Sequence, residues 1–279
     1  MSLQLNPNLD ASTIAASFKS TKRVRIDNVL EPGSAEAIFE CLRNYTAWEL
    51  CYSGENSEPM RVSHQDLVEM SVDELTTLST GVHKRGAVSY QYIYKFFPMV
   101  DLITAGRVTK SSMLFDIATF LNSAPFIKLA RDITGNDKLV KLDPHAHLYE
   151  PSHFKNLHDD MRVDKSARDR SVRRYAVVLG FTKNWSVNWG GDMSFYPGPN
   201  PISAETSYPG FNSLEIFEIP ALHRVSMIMP FAAKGRYTIA GWLREDSDII
   251  RLDLGDQLPQ QAQGSSAPNA PASDVPLAK

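Results

Sequence analysis

The sequence predicts a mainly β fold with flanking helices, an α+β arrangement, and two observations carry that expectation. From Leu139 onward the segments 139–150, 154–160, 172–182, 191–196, 213–219, 222–229 and 235–243 are short and β-branched or aromatic, with Gly, Pro, Asn and Asp between them. No helical period interrupts them, and regularly spaced strands without intervening helices argue for an antiparallel sandwich or barrel. Ahead of Leu139 the period is mostly helical.

Taken in order, residues 1–20 are polar and are expected to be poorly ordered. Arg23 to Leu30 alternates like a strand, and Glu31-Pro32-Gly33-Ser34 breaks it and starts a helix in which Ile38, Cys41, Leu42 and Tyr45 share one face. Ser71-x-x-Glu74 has the form of a capping box ahead of Leu75 and Leu78. Residues 86–97 alternate, with Tyr90, Tyr92 and Tyr94 on one face of a strand. Two packing helices follow, one marked by Met113, Ile117, Phe120 and Leu121. The other is marked by Phe126, Leu129, Ala130 and Ile133, with Pro125 in its first turn and Gly135 past its end. The division expected is one domain over residues 21–254, with support at 21–138 and a β core at 139–254. Residues 255–279, rich in Pro, Gln, Ala and Ser, read as a disordered tail.

A chain of 279 residues with 43% hydrophobic content can bury a sizeable core. Its formal net charge of −3 points to neither nucleic acid nor an acidic membrane surface. Cys41 and Cys51 have no metal-type spacing and fit a reducing cytoplasm, and the first residues lack the basic start and apolar run of a signal peptide. A cytoplasmic protein with no membrane and no nucleic-acid partner is the expectation. The sequence carries no signal for oligomeric state.

The chemistry gathers around His158-x-Asp160, two good ligands for a divalent metal that an extended strand would send to one face, with Asp159 turned away. His223 lies in a second β segment. Two imidazoles and a carboxylate on one face of an octahedral ion leave three positions open, the arrangement of non-heme Fe(II) oxygenases. Arg236 and Thr238 stand two apart on a further strand, where a guanidinium and a hydroxyl can meet one carboxylate. Thr182-Lys183-Asn184-Trp185, Gly190-Gly191 and Phe195-Tyr196-Pro197 lie between these motifs.

In that order, over about residues 139–245, the chain resembles the 2-oxoglutarate/Fe(II)-dependent dioxygenases, in their prolyl 4-hydroxylase-like branch. The resemblance implies a double-stranded β-helix, or jelly roll, with the N-terminal helices packed on one sheet. It implies Fe(II), 2-oxoglutarate and O2, with His158, Asp160 and His223 as metal ligands. Arg236 and Thr238 would anchor the distal carboxylate of 2-oxoglutarate, with Tyr149 bonded to the same group. Some relatives place a second tyrosine where this chain has Leu179-Gly180. Asp160 implies hydroxylation rather than halogenation. The C–H bond attacked would belong to a prolyl-type residue in a protein, or to a free amino acid or small biosynthetic metabolite. Candidate substrate contacts are Arg162, Lys155, Tyr92 and Trp242, and the charged run after Asp160 is a candidate lid. A rival reading takes His145-x-His147-x-x-Glu150 as the metal site, and the chain as a non-catalytic, cupin-like metal- or ligand-binding β-barrel.

Overall fold

The computed structural model describes residues 2–161, 173–198 and 202–245. The helices are α1 (Ala11–Thr21), α2 (Pro32–Asn44), α3 (His64–Glu69), α4 (Val72–Gly86), α5 (Met99–Thr104), α6 (Met113–Leu121) and α7 (Ala124–Thr134). The N-terminal strands are β1 (Arg23–Asp27), β2 (Glu49–Ser53), β3 (Pro59–Val62) and β4 (Tyr92–Phe97). Then come β5 (Lys141–Tyr149), β6 (Phe154–His158), β7 (Arg173–Phe181), β8 (Met193–Tyr196), β9 (Glu205–Ser207), β10 (Phe211–Glu218), β11 (Leu222–Val225) and β12 (Arg236–Arg244).

Among the described residues every strand pair is antiparallel. One wall runs β1-β10-β7-β12-β5 and the other β6-β11-β8-β9. β4 joins them, pairing with β5 through Lys95–Phe97 and with β6 through Tyr92 and Ile93. This curled sheet with helices outside it is a jelly roll.

Period-two alternation decides which residues meet the helices and which meet the interior. On β7, Tyr175, Val177, Leu179 and Phe181 join the outer core. On β5 the outward set is Leu142, Ala146 and Leu148, and on β12 it is Ile239 and Leu243. Against them pack Phe18 of α1, Ile38 and Leu42 of α2, Ile117 and Leu121 of α6, and Phe126, Leu129 and Ile133 of α7. Burying each such side chain contributes about 1.5–3 kcal/mol, so this layer holds the first wall rigid. The run Met113–Thr134 has the length and composition of a membrane span. It is nevertheless two helices, broken at Asn122 and Ser123, with its apolar face in this core.

Several expectations need correction. Residues 11–20 are helical rather than poorly ordered: Asp10 caps α1 through the Ser12 and Thr13 amides, and Phe18 anchors it. α2 ends at Asn44, so Tyr45 turns out to solvent, 76% exposed. The capping box at Ser71 forms as read, but α4 runs on to Gly86 and the strand expected from 86 begins at Tyr92. Strands β2, β3 and β9, each of five residues or fewer, carried no readable pattern. The candidate lid and Arg162, together with the expected tail at 255–279, lie outside the described residues.

Candidate active site

The two walls enclose a cavity of about 700 Å³. Alternation turns Asp143, His145, His147 and Tyr149 of β5 into it, with Arg236, Thr238, Ala240 and Trp242 of β12 beside them. Tyr92, Tyr94 and Phe96 of β4 close one side, and the second wall supplies Lys155, His158, His223 and Val225.

His158 ends β6 and sits across from His223 on β11, with ring centroids 4.2 Å apart. Each imidazole is oriented by its own strand. His158 Nδ1 bonds the Asn156 carbonyl at 2.8 Å and His223 Nδ1 bonds the Ala221 carbonyl at 2.8 Å. Nδ1 therefore carries the proton, and each Nε2 presents its lone pair to the cavity. Burial pushes both imidazoles below their usual range, which keeps them neutral.

Asp160 lies two residues past the end of β6, so a short extension of the strand, rather than the strand itself, delivers its carboxylate. Oδ1 is 3.7 Å from His158 Nε2 and Oδ2 is 3.8 Å from His223 Nε2. These separations exceed a hydrogen bond but suit three ligands of one ion. The donor atoms of all three residues lie within 4.8 Å of one another. His158 Nε2 is buried with no hydrogen-bond partner, an orphaned lone pair that a cation would satisfy. Asp159 Oδ1 accepts from the Met161 amide instead.

At another part of the cavity Arg236 pairs in register with Tyr149, its guanidinium 5.4 Å from the ring centre. Arg236 Nε and Thr238 Oγ1 are both buried and unpartnered. The glycine pair flagged in the sequence makes room for the arginine. Gly191 has φ +72°, and a Cβ there would press on Ile228 and touch Arg236 Cδ at 3.4 Å. Trp185 Nε1 donates to the Gly190 carbonyl at 2.9 Å and fixes that turn. Gly180 faces Thr238, and a side chain there would strike Ser213 Oγ and the Gly210 carbonyl, so this position has no room for a tyrosine.

Of the other sequence candidates, Lys155 and Tyr92 face each other across β6 and β4 and line the cavity. Trp242 stands edge-on to His145, with the Arg173 guanidinium 3.6 Å above its ring. The rival metal site does not assemble. His145 and His147 point inward and pack on Phe96, whereas Glu150, an odd number of residues further along, binds Lys95 at 2.9 Å. Among the described residues the His158, Asp160 and His223 group is the one that converges.

Reading the sequence missed Tyr94 as a site residue, although it stacks on Tyr149 at 5.0 Å. It also missed Phe96, Arg61, and the Asp143–Arg244 ion pair. The alternation already noted at Tyr90, Tyr92 and Tyr94 reaches Phe96 if carried one step further. Arg61 sits on β3 and has no comparable signal.

A jelly roll that gathers two imidazoles and a carboxylate on one wall and a buried arginine on another can hold a divalent metal at the first and an anion at the second. Residues 144–244 match the family model of the 2OG-Fe(II) oxygenase superfamily. No curated protein matches the sequence.

Similar folds occur among solved structures. An oxidoreductase of the 2OG-Fe(II) oxygenase family from Burkholderia pseudomallei is 11% identical with a TM-score of 0.54, over 88% of this chain and 96% of its own. A prolyl hydroxylase from Trichoplax adhaerens, in complex with a hypoxia inducible factor oxygen degradation domain peptide, is 15% identical with a TM-score of 0.53, over 84% and 89%. A prolyl-4-hydroxylase from Pseudomonas putida is 14% identical with a TM-score of 0.48, over 84% and 98%.

Proposed function

We propose that the protein hydroxylates an unactivated C–H bond, with His158, Asp160 and His223 holding Fe(II) and with Arg236, Thr238 and Tyr149 taking the distal carboxylate of 2-oxoglutarate. The observation that carries this reading is the matched pair of unmet demands in one cavity. On one side a buried imidazole nitrogen lacks a cation; on the other a buried guanidinium and hydroxyl lack an anion.

Bound Fe(II) and 2-oxoglutarate together activate O2 and supply the oxidant for the C–H bond. The residues do the rest. The Asn156 and Ala221 carbonyls hold the two imidazoles in the ligating tautomer. Asp160 would complete the ligand set of the two imidazoles with one negative charge. Arg236 offers a fork of donors, and Thr238 on the same face of the strand adds a hydroxyl. Tyr149, whose phenol burial keeps protonated, can donate to the same carboxylate. Tyr92, Tyr94 and Phe96 give the cavity an aromatic wall.

A peptide-binding neighbour and the prolyl 4-hydroxylase resemblance support a prolyl-type substrate, and the charged cavity of about 700 Å³ supports a small molecule. The test of the site is an anaerobic titration with Fe(II) and 2-oxoglutarate, following the visible charge-transfer band of the chelated keto acid. The band should form in the wild type and be lost in His223→Ala. A folded protein without a band would refute the ligand assignment.

A further inference from the structure

We propose that Lys155 recognises an anionic group on the primary substrate, and that this substrate is a small organic anion with an apolar body rather than a residue of a peptide or protein. This rests on the dioxygenase reading above and adds the substrate class to it.

The position comes first. Lys155 lies on β6, three residues before His158, paired with Tyr92 on β4 and with Val225 on β11. It shares the cavity with the metal-binding group. Its charge acts on Asp160 and on the imidazoles of His147, His158 and His223.

Next is its lack of a partner. Lys95 and Lys183, on the outer surface, each bind a carboxylate, Glu150 and Glu36. The Lys155 ammonium forms neither an ion pair nor a hydrogen bond with any of the described residues. Lys155 is half-buried, and a cation partly removed from water inside a cavity and left without a partner is usually compensated by a bound anion.

The charges of the loaded site sharpen the point. A divalent ion on Asp160 keeps one positive charge and Arg236 adds another. Together they match the two negative charges of 2-oxoglutarate. Asp143 is matched by Arg244, and Asp101 and Arg173, which also line the cavity, add one charge of each sign. Lys155 is then in surplus, in the same cavity as the metal-binding group. Arg61, stacked 4.8 Å from the centre of Phe96 on the same cavity wall, adds a second positive charge.

The apolar body is read from the rings beside Lys155. Tyr92 and Tyr94 lie 5.6 Å apart and Tyr94 and Phe96 6.3 Å apart, a continuous aromatic face. The cavity volume of about 700 Å³ falls in the range of small-molecule pockets.

The experiment uses the full chain loaded with Fe(II) and saturating 2-oxoglutarate without O2, so that Arg236 is occupied. Calorimetric titration compares 3-phenylpropionate with its amide, which has nearly the same shape but no charge. The acid should bind about ten- to a hundredfold more tightly than the amide, the worth of one charge-assisted bond. Lys155→Met should erase that preference and Lys155→Arg should keep part of it, with the charge-transfer band unchanged in both. The proposal is overturned if acid and amide bind alike, if the acid does not bind, if a prolyl peptide binds in its place, or if Lys155→Met keeps the preference. It is also overturned if Lys155→Met weakens 2-oxoglutarate binding, because Lys155 would then belong to the cosubstrate. A wild-type protein that forms no band would instead bring down the reading of the site itself.

Discussion

Replacing Arg236 with methionine separates a cosubstrate anchor from a structural arginine, because the first role predicts a loss of 2-oxoglutarate affinity at nearly constant stability and the second a loss of stability. Arg236 is 5% exposed and its Nε has no partner, nor does the Oγ1 of neighbouring Thr238. A guanidinium that meets a carboxylate through two charge-assisted bonds gains about 1.5–3 kcal/mol from each. Losing both should weaken 2-oxoglutarate binding by at least about 3 kcal/mol, roughly 150-fold in Kd. The same change removes a buried cation from a site where it is only partly satisfied. The stability of the unliganded protein should therefore stay within about 1 kcal/mol of wild type. The assay is the anaerobic band titration for Kd, paired with thermal unfolding of the protein alone. A Kd within a few-fold of wild type would place the carboxylate elsewhere. A fall in Tm of more than about 5 °C would make the arginine structural.

Three further predictions follow from the same geometry. Asp160→Ala should lose at least the 10- to 100-fold in iron affinity that disturbing a ligand's supporting bonds costs, about that or more, with circular dichroism unchanged. Wild-type affinity by metal titration would remove Asp160 from the ligand set. Gly191→Ala should lower both Tm and 2-oxoglutarate affinity, since a methyl at φ +72° presses on Ile228 and the Arg236 stem. An unchanged Kd would show that the Gly190-Gly191 turn does not set the arginine. Burial pushes His145 down to about 3 and His153 to about 4, from 6.5. The unfolded chain thus takes up protons first on acidification. Stability is complete above pH 6.5 and falls as pH drops from 6.5 toward those values, by about 1.4 kcal/mol per pH unit for each histidine. Tm of the metal-free protein should decline from pH 7.5 to 5.0, less so in His153→Gln. A flat profile would contradict the buried neutral histidines.

Much of the architecture was legible because its signals are local. Period two in β5, β7 and β12 and period 3.6 in α2, α6 and α7 both follow from backbone geometry and burial on one face. The Ser71 box could be read for the same reason, since its two hydrogen bonds close within four residues. The order His158, Asp160, His223, Arg236 was also visible in one dimension. The sequence by itself determined which residue types are available, and which sit two apart on a strand.

What only the tertiary structure decided is which of them converge. His158 meets His223 because β6 and β11 pair across 65 positions of sequence, and a short extension beyond β6 folds Asp160 back between them. His145 and His147 carry equally good ligating atoms, yet the carboxylate that would complete them lies on the opposite face of the strand, bound to Lys95. Arg61 and Tyr94 enter the cavity through β2, β3 and β4, short strands whose pairing depends on partners distant in sequence. A local pattern records which face of an element is apolar. Which polar groups are brought within a few ångströms of one another, and which are left buried without a partner, depends on how the walls of the barrel close, a property of long-range pairing that no short stretch of residues contains.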